Sequence, residues 1–187
     1  MMFRRLTSLS VSLFFLMAAC LSCGEAIPDA ETKMEAKAQA WALDDGVVTP
    51  LEYRAAVEKF VSCLTTSGYN AAIVSLSPID NLTWLTHLVP SGDPTVYNTQ
   101  VQRCNLASLS GIEPKYVESH VQVMEESLRP RVRECLSARG VKTTGSETNA
   151  PQFNVSAGEA TGAVVECILK TARDRHPDLP PVITIRM

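Results

Sequence analysis

Four cysteines, at positions 63, 104, 135 and 167, constrain this chain more than any other feature. They follow a segment that reads as an export signal, so the folded body meets an oxidising compartment, where neighbouring thiols join. Four cysteines allow three pairings. A short internal repeat favours one of them. Cys63-Leu64-Thr65-Thr66-Ser67-Gly68-Tyr69 and Cys135-Leu136-Ser137-Ala138-Arg139-Gly140-Val141 share one pattern: Cys-Leu, three residues, glycine, a large apolar residue. Each is followed by a connector and a further cysteine, 41 positions on from Cys63 and 32 from Cys135. The reading is two copies of helix–connector–helix, stapled Cys63–Cys104 and Cys135–Cys167. Each loop closure is worth roughly 3–4 kcal/mol on the chain-entropy account. Zinc is disfavoured, because the body holds no Cys-x-x-Cys spacing, and no cofactor is expected.

The export signal occupies residues 1–19. Arg4 and Arg5 precede an uncharged stretch, Leu6 to Ala19, shorter than the roughly 20 apolar residues of a membrane span. Met17-Ala18-Ala19-Cys20 resembles a bacterial lipobox, with Met17 where leucine usually stands. The resemblance implies cleavage before Cys20 and acylation there, a diacylglyceryl group with palmitate-type chains. Cys23 is the alternative: cutting there leaves four cysteines, all able to pair, whereas cutting at Cys20 leaves Cys23 over. Two or more acyl chains hold a protein on a membrane, where one binds reversibly.

Removing residues 1–19 takes away two arginines and no acid, leaving 15 basic and 20 acidic residues, net −5. Such a body is repelled by anionic headgroups and is expected to stand off the surface. Residues 20–43 read as its tether, with a short exposed helix over 29–43. The body, 44–187, is expected as one domain of two related halves, 44–112 and 113–187.

Within it, Thr49, Pro50 and Glu52 form a capping box with proline at the first helical position. The helix should run to Thr66, bury Ala56, Phe60, Cys63 and Leu64, and stop at Gly68. Residues 71–76 and 82–88 read as a hairpin about the turn Ser77–Asn81, with Leu82, Trp84 and Leu88 on one face. Asp93 should cap a helix reaching Cys104, before an irregular stretch, 105–113. The spacing of Val117, Val121, Met124, Leu128, Val132 and Cys135 predicts a long helical stretch, kinked or divided at Pro130 and ended by Gly140. Residues 142–154 read as a polar loop with room for a short strand. Ser156 and Glu159 read as a second capping box for a helix to Arg175, and residues 182–185 as a last strand. The fold class is α+β and helix-rich.

The segment Asp45-Gly46-Val47-Val48-Thr49, Glu52-Tyr53 and Ala56, with the Cys-Leu-x-x-x-Gly helix ends, resembles small exported actinobacterial lipoproteins. That resemblance implies export and anchoring, and carries over no catalytic residue.

Candidate chemistry is sparse. Asp45 to Glu52 has the glycine and final glutamate of an EF-hand loop, but Trp41 and Leu43 would occupy its first ligand places, and capping accounts for the rest. His176, between Asp174 and Asp178, reads as a helix end in which Arg173 and Arg175 complement the dipole. His87 and His120 read as surface or packing residues. No Gly-x-Ser-x-Gly, His-Glu-x-x-His or phosphate loop is present. The net charge of −3, with no basic run, argues against nucleic acid. The expectation is an envelope lipoprotein on the outer face of the bacterial membrane, a binding or structural module with an envelope protein as partner. The alternative is an exported hydrolase with a dispersed polar site.

Overall fold

The capping box at Thr49 forms as expected. The Thr49 hydroxyl accepts from the Glu52 amide at 3.2 Å, and Glu52 Oε2 accepts from the Thr49 amide at 2.8 Å. The computed structural model describes residues 30–187, with side chains from Lys37 onward. Its elements are α1 Ala30–Leu43, α2 Pro50–Thr66, β1 Asn70–Leu76, β2 Trp84–Val89, α3 Pro94–Ser108, α4 Ile112–Ser119, α5 Arg129–Ala138, α6 Ala150–Ala157 and α7 Thr161–Arg175. The described residues form a helix-rich α+β fold with one antiparallel hairpin among them. No helix among the described residues is long and apolar enough to cross a membrane.

The repeat seen in sequence is a repeat in structure. Gly68 and Gly140 adopt φ of +87° and +74°, which glycine takes without a Cβ penalty. Past each, an amide reaches back to the helix: Tyr69 to the Leu64 carbonyl and Val141 to the Leu136 carbonyl, both at 3.0 Å. The glycine amides bond Thr65 and Ser137. These are two Schellman endings with the same register. One turn back on each helix the cysteine pairs as expected, Cys63–Cys104 and Cys135–Cys167, each with Cα atoms 5.7 Å apart.

Each half has its own core. Tyr53, Val57, Leu64, Ile112 and Val117 anchor the first, and Leu128, Val132, Leu136, Phe153 and Ile168 the second. α4, which straddles the expected division at 112/113, packs Ile112, Tyr116 and Val117 into the first core. The tether reading needs correction at its C-terminal end. Ala42 is buried in the first core. Gln39, 3% exposed, donates to the Leu106 carbonyl at 2.6 Å and accepts from the Gly111 and Ile112 amides. One α1 side chain thus closes the end of α3 and the start of α4.

Several expected elements differ. α3 continues past Cys104 to Ser108 and α4 begins at Ile112, so only 109–111 of the expected irregular stretch lie outside a helix. The long helix is two helices, α4 and α5, joined by an extended segment. The break falls at 120–128, so Pro130 neither kinks nor divides a helix but stands in the first turn of α5, where its missing N–H has no partner to lose. Met124 and Leu128 are buried although they lie outside a helix. The expected loop holds over 142–149 without a strand, and its last five residues belong to α6, whose Asn149 cap accepts from the Gln152 amide at 3.0 Å. Ser156 lies inside α6, and Gly158, at φ +60°, breaks the chain before α7. The second capping box does not form. Residues 182–185 are not a strand. Ile183 and Ile185 pack against the second core as extended coil, with no neighbouring edge to pair.

Candidate functional site

The two halves meet along a seam of loops, and the buried polar side chains Ser77, Asp80 and Glu147 lie on or beside it. The hairpin connection, Ser77 to Thr83, inserts Ile79 into the second core. Its backbone pairs with the segment after α4: the Val123 amide donates to the Asp80 carbonyl at 3.0 Å, and the Glu125 amide to the Pro78 carbonyl at 2.8 Å. On its other side this segment meets the loop before α6, where the Met124 amide donates to the Thr148 carbonyl at 2.7 Å. A buried amide without a partner costs free energy, so these cross-links satisfy groups that the surrounding helices leave open.

Two buried carboxylates shape the loops at this seam. Asp80 accepts from the Leu82 and Thr83 amides at 2.9 and 3.0 Å and from the Thr83 hydroxyl at 2.7 Å. Glu147, 2% exposed, accepts from the Gly145 amide at 3.0 Å and the Thr144 hydroxyl at 2.8 Å. Burial pushes the Glu147 carboxyl up, but the donors of Ser156 and Thr144 outweigh it and hold it down at about 2. In the first half, the Tyr53 hydroxyl donates to Glu113 at 2.7 Å and accepts from the Trp84 amide at 3.2 Å. Burial, then the charge of Glu113, raises the Tyr53 phenol well above its ordinary range. Arg186, near the chain end, reaches the same Glu113 at 3.3 Å.

The three histidines do not converge. His87 is exposed on β2 opposite Ala72. His120 packs on the Tyr116 ring, centroids 4.1 Å apart, with Nδ1 2.7 Å from the Tyr116 carbonyl. His176 caps the end of α7, as expected, and its Nε2 lies 2.9 Å from Glu125, a partner the sequence reading missed. In the EF-hand-like stretch, Asp45 accepts from the Val47 amide and Glu52 closes on Thr49, so both carboxylates serve the turn. Among the described residues no group of three histidine, cysteine or acidic side chains could hold a metal. The grooves are open: one of about 690 Å³ lies along α3 beside Asn98 and Arg103, and one of about 400 Å³ runs between α5 and α7 beside Cys135, bordered by Arg131 and Lys170. The acylation candidates, Cys20 and Cys23, lie outside the described residues.

Gln39, Glu113, Asp80 and Glu147 escaped the sequence reading as paired or capping groups. Only Asp80 carried a signal, an acid two and three residues before the amides it accepts from. The others bond across 60 residues or more, or within a loop of no marked composition.

The described residues define a disulfide-stapled, helix-rich α+β protein whose two bonds belong to an oxidising, extracytoplasmic setting. No protein-family model, curated protein or solved structure matches this chain.

Proposed function

We propose that the chain is an exported, lipid-anchored protein of the bacterial envelope that acts as a binding or structural module. The observation that carries this is the repeated staple: the same Schellman ending and the same cysteine position in each half, behind an export-type N-terminus. Disulfides persist in that compartment and stabilise a small domain against it. Support for a module comes from where the polar side chains go. Gln39, Asp80 and Glu147 are each engaged with backbone amides of loops and helix ends, which makes a rigid frame.

Fatty-acid labelling in a bacterial host tests the anchor. Cys20→Ala should abolish incorporation and release the protein from the membrane fraction or leave it uncleaved. Labelling lost only in Cys23→Ala would move the anchor to that cysteine. Labelling that survives both changes would end the lipoprotein reading. Pull-down from detergent-solubilised envelope with the lipidated protein as bait then tests for an envelope partner.

A further inference from the structure

The net charge of the chain hides an uneven division. Residues 30–119 hold ten acidic and six basic side chains, whereas residues 120–187 hold eight and nine. The excess gathers on α5 and its end, where Arg129, Arg131, Arg133 and Arg139 face a single acid, Glu134. Arg139 is paired with Glu166, and the neighbouring Lys170 with Asp174. Among the described residues, Arg129, Arg131 and Arg133 have no carboxylate partner.

Their placement opposes local stability. All three stand in the first five residues of α5, at the positive end of its dipole, where acids are favoured. Arg129 and Arg133 are also one turn apart, a like-charge spacing that weakens a helix. Two of the three also serve the fold, Arg129 donating to the Met124 carbonyl at 2.8 Å and Arg133 to the Glu147 carbonyl at 3.5 Å, whereas Arg131 is exposed and makes no hydrogen bond among the described residues. Half-buried Arg129 and Arg133 border one side of an outward strip of α5 made of Pro130, Glu134, Ser137 and Ala138, all exposed, Arg131 borders the other side, and the grooves on either side are open. Three arginines against one glutamate leave this open face with a net positive charge, suited to an extended anionic surface rather than to a small enclosed ligand.

We propose that this face of α5 docks on anionic phospholipid headgroups, so that the second half turns toward the membrane while the acidic first half turns away. The inference deepens the anchored-protein reading and rests on it for the membrane's proximity. From Cys20 to Ala30 the chain spans at most about 35 Å, which keeps the body near the surface. Each cation near such a surface adds an attraction that falls off within a Debye length.

The test uses unlipidated protein beginning at Gly24, with both disulfides formed, and co-sedimentation with vesicles. The described elements and both cores lie within that chain. Binding is expected to vesicles of phosphatidylcholine with about a third phosphatidylglycerol, to fall steeply as salt rises, and to be absent on phosphatidylcholine alone. Replacing Arg129, Arg131 and Arg133 by Gln should weaken it about a hundredfold. A charge-matched control, Lys37, Arg103 and Lys115 to Gln, should leave it within about threefold. Arg131→Glu is the second variant. That side chain is exposed and makes no hydrogen bond among the described residues, so lost binding there reflects charge and not folding. Equal binding to both vesicle types, no binding, or equal loss in the control would overturn the proposal. So would binding to soluble polyphosphate without binding to vesicles. Because no lipid is attached, this outcome is independent of the fatty-acid labelling that tests the anchor.

Discussion

Asn81 donates from Nδ2 to the carbonyl of Val123 at 2.9 Å, across the seam between the two cores, from a backbone with φ of +51°. It is the one non-glycine residue with positive φ among those described. Asparagine tolerates that region better than most residues, and here it also supplies a donor that the second half uses. Asn81→Ala should cost about 1–3 kcal/mol, combining left-handed strain with a lost hydrogen bond. Asn81→Gly should cost less, because only the bond is lost. Urea unfolding of the two variants checks this, and equal losses would mean the backbone conformation contributes nothing.

Ile79 belongs by sequence to the hairpin of the first half but is buried in the core of the second. Ile79→Ala should destabilise by roughly 2–4 kcal/mol, the range for a large-to-small core change. Hydrogen exchange is expected to rise in α5 and α7 more than in α2. A loss of protection confined to α2 and the hairpin would contradict the assignment of Ile79 to the second core.

Glu147 has its carboxyl lowered from about 4.5 to about 2 in the fold. A depressed acid stabilises the native state above its unfolded pKa and loses that contribution as pH falls through the folded one. Glu147→Gln should therefore be less stable than the parent at pH 6, by something on the order of 2 kcal/mol. The gap should narrow between pH 4.5 and 2. Thermal melts across that window read it directly, and a gap independent of pH would show that the charge is not what matters.

The two staples are separable, because each ties helices of its own half. Cys104→Ala should leave Cys63 open to alkylation with Cys135–Cys167 intact, and should cost roughly 3–4 kcal/mol on the chain-entropy account. Peptide mapping without reduction should recover the two pairs and no Cys63–Cys135 crosslink. Scrambling in the variant would mean that the halves do not hold their own pairings.

Local chemistry was readable wherever one short stretch carried it. Thr49, Pro50 and Glu52 specify the start of α2, Asp93 the start of α3, and Gly68 and Gly140 two helix ends, because capping and positive φ depend on residues within one turn. The repeat of Cys-Leu-x-x-x-Gly carried the pairing of four cysteines, since two like units place like cysteines alike. Helical spacing from Val117 to Cys135 misled, because Met124 and Leu128 are buried by packing against loops of both halves rather than by a helix face. The site residues divide the same way. Cys63, Cys104, Cys135 and Cys167 were legible by spacing, whereas Gln39 and Glu113 acquire their roles only when amides and a hydroxyl 60 or more residues away are brought within 3 Å or so, and Glu147 bonds within a loop of no marked composition. A capping residue selects a partner that the backbone already holds near. A buried polar side chain between halves has its partner chosen by the burial of Ile79, Met124 and Ala42, a property of the whole packed chain that no local window contains.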